Sequence, residues 1–137
     1  MISRSIRTTL ALAVSGTIIA TAFQASPQQS PLPDGDPARG AQLYKRVCAA
    51  CHSLDANRIG PMHRGVVGRP VASVEGFHYS AALSAQTFTW DTATLDQWLT
   101  NPPDMVPGTA MGIRVPKPQD RADIISYLRQ EGGQPAP

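Results

Sequence analysis

The residues with the clearest chemical potential are two thiols and an imidazole within five positions, Cys48-Ala49-Ala50-Cys51-His52. These are the only 2 cysteines in a chain of 137 residues. A disulfide between them would close a very small loop and constrain little of the unfolded chain. A thioredoxin-like redox pair wants a βαβ context around the motif, and no alternating strand pattern flanks it. A structural zinc needs two further ligands at suitable spacing, and His63 and His78 form no familiar pattern with the pair. The adjoining His52 completes a different logic. In Cys-x-x-Cys-His the two thiols add across the vinyl groups of a haem as thioethers, and the next residue is set under the iron to supply an imidazole nitrogen. The motif therefore reads as one covalent haem c on Cys48 and Cys51, with His52 as an axial iron ligand.

A second axial ligand has to come from elsewhere. Met62, Met105, Met111, His63 and His78 are the side-chain candidates. Methionine is by default a core filler, and Met62 and Met105 are read that way. Met111 follows Val106-Pro107-Gly108-Thr109-Ala110, where Pro and Gly force a tight, stiff turn that can hold the thioether against iron at low entropic cost. His63 and His78 are read as surface or loop histidines. His78 as distal ligand, giving a bis-histidine haem, is the weaker reading.

Three helices must carry these residues. Asp36 can N-cap the first, with Pro37 at its first position; Ala38 to Val47 then runs into the haem motif. Gly40 sits one turn before Tyr44, where a close helix contact would explain the helix-weakening glycine. Thr92 to Thr100 gives a second helix with Leu95, Trp98 and Leu99 on one face, ended by Asn101-Pro102-Pro103. Asp120 can cap the third, with Asp123 in its first turn, an apolar stripe of Ile124, Tyr127 and Leu128, and Gly132-Gly133 as the stop. The intervening segments are rich in Gly and Pro (11 and 13 in all) and show no strand alternation. Aromatic residues make up only 6% of the chain, so a buried cofactor would supply apolar volume that the side chains lack. The expected fold is all-α, with long loops wrapped around one haem.

The chain also carries Gly60-Pro61, Gly65-Val66-Val67-Gly68-Arg69, Gly76-Phe77-His78-Tyr79, Phe88-Thr89-Trp90, Asn101-Pro102 and Asp123-Ile124-Ile125-Ser126-Tyr127-Leu128. With the haem motif and the Pro107-to-Met111 turn, this ordered set resembles the class I c-type cytochromes, of the kind close to mitochondrial and α-proteobacterial electron carriers, over about residues 36 to 130. The resemblance implies a small cytochrome c fold. It implies His52 as proximal and Met111 as distal ligand, with the Pro61 carbonyl accepting a hydrogen bond from the far nitrogen of His52. It places Tyr79, Trp90, Arg69 and Thr109 around a buried haem propionate. Trp98 would lie beside the haem near Met111, where many relatives carry Tyr, a change that removes a phenolic hydroxyl from the sulfur's surroundings. Gly40 and Tyr44 would cross the C-terminal helix near Ile124 and Tyr127. Ligation on both faces of the iron argues for outer-sphere electron transfer rather than catalysis.

The N-terminus reads as an export signal. Arg4 and Arg7 precede an uncharged apolar run, Leu10 to Ala22, with a small-x-small cleavage site at Ala20-Thr21-Ala22. Residues 1–22 are expected to be removed, with Ala25 as the later limit. Residues 23–35 read as a flexible leader, 36–131 as the domain and 132–137 as a tail. The expected location is the periplasm, membrane-anchored only if the signal stays uncleaved; the run is shorter than a bilayer span. The precursor has 12 basic and 10 acidic residues; without Arg4 and Arg7 the two counts are equal. Nucleic-acid binding has no support in such a balance. Lys45 and Lys117 are the only lysines, so a lysine ring is missing and Arg46, Arg58, Arg64 and Arg114 are the candidates for a basic rim. The expected role is a monomeric electron carrier between redox proteins, such as a membrane oxidase or reductase or a periplasmic dehydrogenase. The alternative is a haem subunit or dedicated electron acceptor of a periplasmic oxidoreductase complex.

Overall fold

A computed structural model describes residues 32–133. The expected signal segment, most of the leader and residues 134–137 lie outside the described residues. Five helices follow one another: α1 Pro37–Val47, α2 Ala81–Ser84, α3 Thr92–Thr100, α4 Pro102–Met105 and α5 Pro118–Glu131. Among the described residues the only extended pairing is an isolated bridge between Pro70 and Thr89. None of these helices is long and apolar enough to cross a membrane.

The start of α1 is as expected. The Asp36 carboxylate accepts the Ala38 and Arg39 amides, and Pro37, with no N–H to satisfy, occupies the first turn. The start of α5 is a correction. Lys117 stands at the cap position and Pro118 opens the helix, so Asp120 falls inside the first turn rather than at the cap. The fixed φ of Pro118 nucleates the helix earlier than a carboxylate cap would. Asp123 is displaced from the first turn, and its side chain turns inward. At the other end Gly132 caps α5, its amide bonding to the Leu128 and Arg129 carbonyls.

Asn101-Pro102-Pro103 ends α3, but Pro102 also begins α4. α2 is capped by the Ser80 hydroxyl, which accepts the Leu83 amide. α3 begins with a reciprocal cap in which Asp91 accepts the Thr94 amide and Thr94 accepts the Asp91 amide.

The core is held together where the first helix crosses the last. A methyl group placed on Gly40 would lie 2.0 Å from the Asp123 carbonyl oxygen and 2.8 Å from Tyr127 Cβ, so the two backbones meet as closely as only glycine permits. Tyr44, one turn on, is buried with its ring 5.4 Å from that of Tyr127. Beside this contact the Asp123 carboxylate is almost fully buried (1% exposed). It accepts the Asp36 amide (2.8 Å), Arg39 Nε (2.9 Å), Arg39 Nη2 (3.0 Å) and Gln119 Nε2 (3.0 Å). A buried charge is tolerable when its lone pairs are filled in this way. Ile124, Ile125, Leu128, Leu95, Trp98, Leu99 and Val106 complete the interior.

Burial alone would push the Asp123 carboxyl up, but Arg39, the Asp36 amide and Gln119 outweigh it and hold the group below the usual aspartate range. A folded-state pKa below the unfolded value adds stability above the unfolded pKa and loses it as pH falls through the folded one. Asp123→Asn is therefore expected to lower unfolding stability near pH 7 by about 1.5–3 kcal/mol, the worth of charge-assisted hydrogen bonds. That deficit should shrink below pH 4. Denaturant titrations of both proteins at pH 7 and pH 3 check the two statements together.

Candidate haem site

The haem motif forms the turn at the end of α1. Cys48 caps the helix with its amide on the Tyr44 carbonyl, and the Cys51 and His52 amides return to the Cys48 carbonyl at 3.1 and 2.9 Å. Both thiols are free and half-buried. Burial pushes the Cys48 thiol up to about 12, the opposite of the lowered value that activates a redox cysteine. Among the described residues no group of three or more His, Cys, Asp and Glu side chains could hold a metal ion.

His52 is buried, and its Nδ1 lies 2.8 Å from the Pro61 carbonyl oxygen. A carbonyl can only accept, so Nδ1 carries the proton and Nε2 keeps its lone pair. Burial lowers the His52 pKa, and the Pro61 bond partly offsets that. Gly60 makes room for the ring: a methyl group there would stand 2.1 Å from His52 Cε1. The Gly60 amide in turn donates to the Cys51 carbonyl at 2.9 Å.

Met111 hangs between two fixed points. On its entry side Val106 is buried and the Thr109 amide closes a turn onto the Val106 carbonyl at 3.1 Å. Pro107 occupies the second position of that turn and Gly108 the third, with φ of +89°. On its exit side the Val115 amide donates to the Leu99 carbonyl at 2.7 Å, while Arg121, paired with Asp96, donates to the Val115 and Pro116 carbonyls at 3.0 Å each. The Thr109 hydroxyl accepts the Met111 amide at 3.4 Å.

The indole Nε1–H of Trp98 donates to Met111 Sδ at 3.1 Å. The sulfur thus has a donor even though no phenol is present, which the replacement of Tyr by Trp did not suggest. Trp98 also meets Trp90 edge to face at 5.2 Å, and Trp90 meets Phe88 at 4.8 Å. The Trp90 amide donates to the Arg69 carbonyl, and the Trp90 carbonyl accepts the Gly68 amide. The structure thus brings Trp90, Trp98 and Met111 into one aromatic-lined group, with Thr109 bonded to Met111. The Arg69 side chain donates to the Met62 and Arg64 carbonyls at 2.8 and 3.2 Å. The Tyr79 hydroxyl accepts the Val74 amide at 3.3 Å.

Two expectations for charged and polar residues change. His63 is a loop histidine, as read, but it does not face solvent freely: its ring stacks on that of His52 at 4.0 Å between centroids and 20° between planes, and its Nδ1 is buried. Burial first, then His52 and Arg69, push its pKa down to about 3. No periodicity could reveal this, because the stack joins two loop residues. Arg64, offered as part of a basic rim, is paired with Asp55 and Glu131. His78 is exposed, as expected.

These residues fit a haem c. Two free thiols sit at the end of one helix, an imidazole presents Nε2 with its other nitrogen tied down, and a thioether is held by backbone and indole donors. Gly60→Ala is expected to reduce haem-loaded protein by several-fold, because the new methyl collides with a ring that the Pro61 bond prevents from turning away. The absorbance of bound haem per mole of purified polypeptide measures this; normal loading would contradict it.

Comparison with known proteins agrees with this geometry. The cytochrome c family model matches residues 37–131. Cytochrome c2 of Rhodomicrobium vannielii is 43% identical over 104 residues, covering 73% of this chain and 82% of that protein. Cytochrome c of Ulva intestinalis is 41% identical over 103 residues, covering 71% of this chain and 91% of its own. The solved structure of cytochrome cH from Methylobacterium extorquens aligns with a TM-score of 0.67 at 40% identity, over 70% of this chain and 99% of that one. The two thiols of a Cys-x-x-Cys-His turn, an all-helical fold and this kinship together place the chain in the cytochrome c family, as a class I monohaem electron-transfer protein with one covalently attached haem c.

Proposed function

We propose that this cytochrome is a periplasmic carrier of single electrons whose iron is ligated by His52 Nε2 and Met111 Sδ. The observation that carries the reading is the paired restraint of the two ligand side chains: His52 is oriented by the Pro61 carbonyl and Met111 by the Trp98 indole. The haem supplies the Fe(II)/Fe(III) couple; the polypeptide sets its surroundings. His52, with Nδ1–H donating to a carbonyl, is a stronger base at Nε2 than a free imidazole. The Trp98 N–H withdraws electron density from the Met111 sulfur, which favours the reduced state alongside the thioether's own preference. Both side chains are fixed before and after electron transfer by contacts that do not involve the iron, so little rearrangement accompanies the redox change. With His52 and Met111 both committed to the iron, small molecules would be kept from the metal.

The export-like N-terminus and the kinship with a bacterial cytochrome c2 support a periplasmic location. Partner recognition should be mainly apolar. With Arg64 neutralised by Asp55 and Glu131, the basic rim is reduced to Arg46, Arg58 and Arg114. Meanwhile Ile59, next to Gly60, is 78% exposed, and Ile113, two residues past Met111, is 50% exposed. Both flank the segments that carry the ligands, where an electron would leave.

Two outcomes are expected. The oxidised protein should show a sulfur-to-iron charge-transfer band that disappears in Met111→Ala while the covalent haem stays attached; persistence of the band in the variant would remove Met111 from the iron. Oxidation of the mature protein by hexacyanoferrate(III) should change by less than about threefold between about 10 and 200 mM salt, since screening matters little for a near-neutral chain. A steep decline, measured by stopped flow, would point instead to a strong basic face.

A further inference from the structure

The proximal side of the site contains two polar rings that the electron-transfer reading does not use. His63 stacks on His52 as described, and Tyr44 meets His63 edge-on at 5.7 Å between centroids and 68° between planes. The placement is set by backbone. The Gly60, His63 and Arg64 amides donate to the Cys51, Ser53 and Leu54 carbonyls at 2.9, 2.9 and 2.8 Å. The strand of loop that holds Pro61 therefore also presses His63 onto the ring that Pro61 orients. Tyr44 comes from α1, one turn before Cys48, and is buried at the crossing with α5.

Tyr44 Oη and His63 Nδ1 are both buried and both lack a hydrogen-bond partner. Each such group is costly when left unpaired, and an aliphatic pair would fill the space without that cost. Two unsatisfied buried polar atoms on adjacent rings that do not reach each other are the usual sign of one bridging water.

We propose that Tyr44 and His63 form a polar buttress behind the proximal ligand. The Tyr44 hydroxyl donates to one buried water, which in turn donates to His63 Nδ1. This fixes His63 as the tautomer protonated at Nε2, and the stacked ring fixes the plane of His52. His63 and Tyr44 are positioning residues. Their second effect is electrostatic: a phenol and a neutral imidazole next to the iron ligand make this side more polar than hydrocarbon packing would, and polar surroundings favour the more highly charged oxidised state. The pair thus lowers the reduction potential against the opposing influence of Trp98 at the sulfur.

The proposal rests on His52 as the proximal ligand and is tested on the haem-loaded protein by optical redox titration and by proton NMR of the haem methyl groups, whose shifts in the oxidised state follow the plane of the axial imidazole. Tyr44→Phe and His63→Leu should each raise the reduced-to-oxidised ratio at a fixed poise about threefold, or ~28 mV at ~59 mV per tenfold for one electron. The double variant should shift no further than the larger single one, because the two share one bridging water. His63→Phe keeps the stack and removes Nδ1, so it should raise the potential and leave the methyl pattern in place. If His63→Leu fails to take up haem, Tyr44→Phe and His63→Phe decide by the same criteria. Unmoved potentials, or single shifts that sum in the double variant, with an intact low-spin spectrum overturn this proposal alone. A parent protein without a low-spin spectrum overturns the ligand assignment and this proposal with it.

Discussion

The crossing of α1 and α5 at Gly40 is the constraint on which the rest of the molecule depends. Backbone-to-backbone contact at that point leaves no room for a side chain. It sets the direction in which α1 leaves the core, and the haem motif begins two turns on, at the C-cap of that same helix. The Asp123 carboxylate, itself buried, fixes the crossing chemically by joining the Asp36 amide, Arg39 and Gln119 in one hydrogen-bonded group. A chain with few aromatic residues obtains a rigid frame this way without a large core. The frame is built from the two ends of the domain, so every loop between them hangs from it.

Both side chains proposed as iron ligands are positioned by the same physical device, a hydrogen bond with a neighbouring group that would not itself touch the iron. For His52 the device is an acceptor, the Pro61 carbonyl, and its effect is to fix a tautomer and enrich the coordinating nitrogen. For Met111 it is a donor, the Trp98 indole, and its effect is to draw charge from sulfur. In each case the residue that supplies the device is stiffened by its neighbours: Pro61 by the amide ladder that ties residues 60–64 to 51–54, Trp98 by α3 and the edge-to-face contact with Trp90. Preorganisation of this kind is what lets an electron transfer proceed with little motion of the polypeptide.

Much of this was legible in the sequence, for reasons that are local. The Cys-x-x-Cys-His turn, the Asp36–Pro37 helix start, the apolar face of α3 and the Pro107–Gly108 turn are all written within a few consecutive residues. α2 and α4 were not legible because four-residue helices carry no periodicity. The start of α5 was misplaced because a proline outcompetes a nearby carboxylate as the first-turn residue. Three features of the site itself are long-range and could not be read at all: the indole bond to sulfur, the stack of His63 on His52, and the neutralisation of Arg64 by Asp55 and Glu131. Each depends on how segments distant in sequence approach one another, and residue type alone misled. A Trp in place of Tyr suggested a lost donor, a histidine in a loop suggested solvent, and an arginine suggested a free charge.

The central claim is that a nitrogen from His52 and a sulfur from Met111 complete the iron coordination. X-ray absorption at the iron edge of the purified haem protein tests it most directly, because sulfur and nitrogen backscatter differently. A single sulfur shell beyond the nitrogen shell, unchanged in distance type between the oxidised and reduced protein, is the result expected. An all-nitrogen first shell in either oxidation state would contradict it.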